Sequence, residues 1–131
     1  MRALGLILAV SFVCVAAAGC DLCGNEVLGR VIAPSGEMSA VIFQRSCGAT
    51  TPFSTQVSLL AVDEQPNGMG NVFRADTDNG KAPTGPGRSP EVAVRWIDAK
   101  TLEIRHHPKA RIFAAEERVG SIRIVYGELG S

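Results

Sequence analysis

From Glu26 to Tyr126 the apolar residues fall in short clusters, several alternating with polar ones, and turn residues separate the clusters. A period of two is the signature of a strand with one face buried, and no stretch holds apolar residues at helical spacing long enough for a convincing helix. Glu26 to Ala33 reads as a first strand and Pro34-Ser35-Gly36-Glu37 as a turn, with Pro presetting φ and Gly free to take a positive one. Met38 to Gln44 follows; Ala40, Val41, Ile42 and Phe43 are apolar in unbroken succession, the mark of a central strand covered on both faces. In Thr55 to Val62, Val57, Leu59 and Ala61 alternate with Gln56 and Ser58, so one face is expected in the core and the other in water.

Asp63 to Gly70 carries an Asn-Gly step and reads as a loop, Asn71 to Ala75 as a short strand. Asp76 to Pro90, with its Gly and Pro residues among polar ones, reads as the longest and most mobile loop. Val92, Val94 and Trp96 alternate up to a turn at Asp98-Ala99-Lys100, and Leu102, Ile104 and His106 alternate after it, a hairpin signal. Ala110 to Ala115 is a further short strand. Ser121 to Tyr126 closes the series with Ile122, Ile124 and Tyr126 on one face. The chain is therefore expected to be all-β or nearly so: a small antiparallel β-sandwich or curled sheet of seven or eight strands, in one domain over residues 26–131. The hairpins at Pro34–Phe43 and Trp96–Arg105 resemble those of bacterial β-propeller blades, but the chain is too short to close a propeller.

The first 19 residues follow a different pattern. Arg2 precedes Ala3 to Ala18, an uncharged and nearly continuous apolar run that ends in small residues before Cys20. A positive start, a short apolar segment and a small-residue cleavage region make a secretory signal; a permanent membrane helix needs about 20 apolar residues. Ala17-Ala18-Gly19-Cys20 resembles the lipobox of bacterial lipoproteins, with Ala17 where Leu is commonest. That resemblance implies cleavage before Cys20, a lipid on its sulfur, and a membrane-anchored protein facing the periplasm or exterior, on a tether of residues 20–25. Asp21 resembles the inner-membrane retention signal of enterobacterial lipoproteins. Cysteine parity agrees, because cleavage discards Cys14, lipidation consumes Cys20, and Cys23 and Cys47 remain as a pair in an oxidising compartment.

Composition changes meaning in this light. The chain is 46% apolar, with 13 basic and 13 acidic residues, but the signal segment holds a large share of the apolar ones and Arg2. The remainder is about one charge negative, so neither nucleic acid nor an anionic bilayer is a partner through bulk charge.

Cys47-Gly48-Ala49-Thr50-Thr51 leading into Phe53-Ser54-Thr55-Gln56-Val57-Ser58 is the most unusual stretch. It resembles the signature of a family of small bacterial exported proteins, a domain of unknown function, in which a turn-plus-strand like Pro34–Phe43 precedes the motif and a Trp-containing strand like Val92–Ile97 follows. Cys47 has two readings. Paired with Cys23 it closes a loop worth roughly 3 to 4 kcal/mol on the chain-entropy model; as a thiolate with His106 or His107 as base it would make a small exported enzyme. The pairing is favoured, since a free thiolate outside the cytoplasm tends to oxidise. Thr50, Thr51, Ser54 and Gln56 cap turns or form a polar rim for an envelope protein or glycan.

His106 and His107 point to opposite faces of a strand, so one metal cannot take both. Asp76-Thr77-Asp78-Asn79-Gly80 fails the calcium-loop register, with Lys81 where Gly is needed. No cofactor, metal or nucleic-acid motif is expected. A non-catalytic binding module is the leading expectation, a small enzyme the alternative.

Overall fold

The computed structural model describes residues 22–48 and 50–130. The signal segment, Cys20 and Asp21 lie outside them. Nine strands are described: β1 (Gly24–Ile32), β2 (Met38–Ser46), β3 (Ser54–Ala61), β4 (Phe73–Asp76), β5 (Val92–Asp98), β6 (Thr101–His106), β7 (Arg111–Ala115), β8 (Arg118–Val119) and β9 (Ile122–Glu128). They form two packed sheets, in the orders β1-β2-β3-β4-β7 and β5-β6-β9-β8, a small β-sandwich without helix among the described residues. The strand beyond those expected is β8, whose two residues are too few to show a period. One pair, β6 with β9, runs parallel, because the chain leaves the second sheet after β6, adds β7 to the first, and returns.

The alternating residues meet between the layers. Ala40, Val57, Leu59, Phe73 and Ala75 of the first sheet face Leu102, Ile104, Ile122 and Ile124 of the second, all buried. Trp96 packs against this core, and its indole N–H donates to the Val31 carbonyl at 2.9 Å, joining the β1 and β5 edges. β1 begins at Gly24 because Cys23 and Cys47 form a disulfide directly beyond the Gly24–Ser46 cross-strand pair. Of the residues 20–25 expected as a tether, Gly24 and Asn25 lie in β1.

Two expectations are corrected. The face of β3 with Gln56 and Ser58 is not in water: both are buried, as are Val41 and Phe43 beside them on the same outer face. The β3–β4 connection lies across that face. Arg30 donates to the Val62 and Glu64 carbonyls, Asn25 and Arg45 donate to the Gly68 carbonyl, and the Gly70 N–H donates to Gln56 Oε1 at 2.7 Å. Polar side chains here satisfy a loop backbone that is itself a lid over apolar residues.

The segment expected to be the most mobile is likewise tied down. Gln44 Oε1 accepts from the Arg88 N–H and the Ser89 hydroxyl, Thr55 donates to Pro90, and Ala82, Ser89 and Pro90 are buried. A Thr84–Pro90 bridge closes its second half.

Candidate functional site

The strand directions give the sandwich two ends. At one lie the starts of β1, β3, β5 and β7 and the ends of β2, β4, β6 and β9, together with the disulfide. Near this end, the part of the first sheet's outer face left uncovered by the β3–β4 connection forms a groove of about 370 Å³. Its floor follows from register: Ser54 is opposite Asp76, and Asp76 opposite Arg111, while Gln56 is opposite Arg74 one step up the strands. Pro52, Met69 and Phe113 complete its lining. Met69 is 61% exposed and Phe113 58%, an unusual exposure for large apolar side chains this close together. Phe113 projects here because the β4–β7 register shifts between Arg74 and Ala75, so that Ala114 and Ile112 take the pairing and Phe113 is left between them.

The charges in the groove are unevenly matched. Asp76 is held in a fork by Arg111, with Nε at 3.0 Å from one carboxylate oxygen and a terminal nitrogen at 2.6 Å from the other. Burial pushes the Asp76 carboxyl up, but the Arg111 hydrogen bonds, the Asp78 N–H and the Arg111 charge outweigh it and hold the pKa below the ordinary 3.8. The same Arg111 lies 5.3 Å from the centre of the Phe113 ring. Arg74 has no carboxylate partner among the described residues; its guanidinium donates to the Met69 sulfur at 3.1 Å. The groove thus presents a half-buried cation, framed by apolar side chains, beside an acid already neutralised.

The structure separates the residues expected to form a polar rim. Gln56 is spent on the fold, its Oε1 on Gly70 and its Nε2 on the Ser54 hydroxyl at 2.9 Å. Ser54 lines the groove. Thr51 turns back to the Gly48 carbonyl through both its N–H and its hydroxyl, and Thr50 lies exposed in the same loop. Arg74, Met69 and Phe113 were not singled out in the sequence, where they sit in a short strand, a polar loop and an edge strand without regular alternation.

Cys47 is bonded to Cys23 and offers no thiol to a nucleophilic mechanism. His106 stacks on Phe73 at 5.5 Å, and its Nδ1 lies 3.0 Å from the His107 carbonyl, which puts the proton on Nδ1. His107 Nδ1 accepts the Lys109 N–H and closes the β6–β7 turn. Among the described residues no three His, Cys, Asp or Glu gather as a metal site, and no helix is long and apolar enough to cross a membrane.

Another hollow, between Ala93, Arg95 and Glu103 on the outer face of the second sheet, is less suited to an anionic ligand. It is lined by arginines whose charge is answered locally: Arg95 donates to Glu103 at 2.6 Å, and Arg105 Nε lies 3.4 Å from the same oxygen. No family model matches the chain, and no curated protein or solved structure matches it.

Proposed function

We propose that this chain is a lipid-anchored protein of the bacterial envelope, working as a non-catalytic binding module whose ligand-binding surface is the groove between Pro52, Met69 and Phe113. The observation that carries the binding role is Arg74, a cation without an acidic partner among the described residues, set between exposed apolar side chains. A site of that kind suits an envelope protein or glycan with an anionic group next to an apolar body. Support for the anchor comes from the signal segment, the Ala17–Cys20 resemblance to a lipobox and the use of the remaining two cysteines in one disulfide. The likeness of Cys47–Ser58 to small exported bacterial proteins fits the same location.

Two measurements test this reading. Metabolic fatty-acid labelling is expected in the wild-type chain and absent from Cys20→Ser; label that persists there rules out the anchor. A photo-crosslinking phenylalanine analogue at Phe113 is expected to capture an envelope component that the same analogue at Ile97, on the other sheet, does not. Equal capture at both positions, or loss of none of it in Arg74→Glu, rules out the groove.

A further inference from the structure

We propose that the end of the sandwich carrying the disulfide rests on a phospholipid bilayer and makes direct contact with it through Leu22 and the Arg88-over-Phe53 pair. The proposal builds on the lipid-anchored reading of Cys20. Cys23 follows Cys20 by three residues, a reach of at most about 11 Å even when extended. Cys23 is fixed to Cys47, so the start of the β2–β3 loop is held at the same height. A rigid domain on so short a tether cannot turn a different end to the membrane.

That end has the chemistry of the headgroup layer. Leu22, directly before the disulfide, is 88% exposed. Phe53, half-buried, carries the Arg88 guanidinium 5.4 Å from its ring centre. Such a pair is amphipathic: the ring favours the acyl boundary while the cation stays among phosphates. Lys109 stands in the neighbouring turn. The opposite end is the more acidic, with Glu37, Asp63, Glu64, Asp98, Glu116 and Glu117 in or beside its turns against Arg30, Lys100, Arg118 and Arg123, whereas at the disulfide end Glu26, Asp76, Asp78, Glu91 and Glu128 are balanced by Arg45, Lys81, Arg88, Arg105, Lys109 and Arg111. An anionic leaflet repels that end and orients the molecule the same way. Near-zero net charge does not oppose this, because screening confines the field to about 8 Å at physiological salt, so the surface acts on one end and not on the sum.

The test uses the processed full chain in nanodiscs of phosphatidylcholine with a minority of phosphatidylglycerol, some headgroups carrying a nitroxide. Amide signals of Leu22, Phe53 and Lys109 are expected to be lost, and those of Glu37, Asp63 and Asp98 retained. Losses that are uniform, that fall at the acidic end, or that occur nowhere overturn the proposal. The anchor is scored separately by fatty-acid labelling. An unlabelled chain that loses the same signals on added vesicles of that composition keeps the surface and removes the anchor, whereas a labelled chain with losses at Glu37, Asp63 and Asp98 keeps the anchor and removes the surface.

Discussion

Asp76 shows how a single acid is made structural. Its carboxylate, gripped by Arg111 and by the Asp78 N–H, has a folded-state pKa below its ordinary value, so it binds a proton less readily in the fold than in the unfolded chain. The stability it contributes is full above pH 3.8 and is lost as the pH falls through the lower folded value. Asp76→Asn is therefore expected to lower the urea midpoint at neutral pH, with the gap to wild type closing in acid; a gap independent of pH would contradict the charge argument. Tyr126 shifts the other way. Burial first, then the charges of Glu116 and Glu117, push its phenol well above the ordinary 10.0, and its hydroxyl donates to the Glu116 carbonyl at 2.6 Å. The unfolded chain ionises first, so stability is full below pH 10.0 and declines above it. As the only tyrosine, Tyr126 can be followed by phenolate absorbance, which is expected to stay absent near pH 10.0 in the native protein and to appear there in denaturant. Ionisation at the ordinary pKa in the native state would remove this account.

At the scale of elements, the disulfide and the β3–β4 connection are the two devices that hold the first sheet. Reduction of Cys23–Cys47 frees the open end of the β1–β2 hairpin and, with the two positions 24 apart in sequence, is expected to cost roughly 3 kcal/mol. Hydrogen exchange should then quicken at Asn25 and Ser46 while amides of the β6–β9 pair keep their protection until global unfolding; equal acceleration in both places would show that the bond acts only on the unfolded chain. The β3–β4 connection touches β3 so closely that a Cβ on Gly70 would stand 2.8 Å from the Val57 carbonyl oxygen. Gly70→Ala is expected to destabilise by about 1 to 3 kcal/mol, against little change for Gly24→Ala, where nothing lies within 4 Å. Comparable urea midpoints for the two variants would show that the connection can lift without penalty.

These two elements also mark what could be read from the sequence. Val92, Val94 and Trp96, like Ile122 and Ile124, announce their strands because alternation is a local property, and the unbroken run Ala40–Phe43 announces a strand covered on both sides. What covers the outer side was not legible. The connection is polar and rich in Gly, and its partners Arg30, Arg45 and Gln56 are residues that pattern alone assigns to water. The groove was hidden for a related reason, since Arg74, Met69 and Phe113 meet only after β7 has crossed to the first sheet.

For the molecule as a whole, the order of the strands governs how it forms and comes apart. Pairings such as β4 with β7 and β6 with β9 join distant parts of the chain, so refolding with the disulfide intact is expected in milliseconds to seconds, the range of sandwiches with non-local contacts; stopped-flow fluorescence of Trp96 measures it, and microsecond folding would be incompatible with this topology. The excursion of β7 has a last consequence. Because the chain passes from β4 to β5, from β6 to β7 and from β7 to β8, each sheet is stitched through the other, and neither is a continuous length of chain that could survive alone. Melting should therefore be a single event. Trp96 fluorescence, which reports the junction of β5 with β1, and far-ultraviolet dichroism, which reports both sheets, are expected to share one midpoint, and two separated midpoints would mean that the layers part before they unfold.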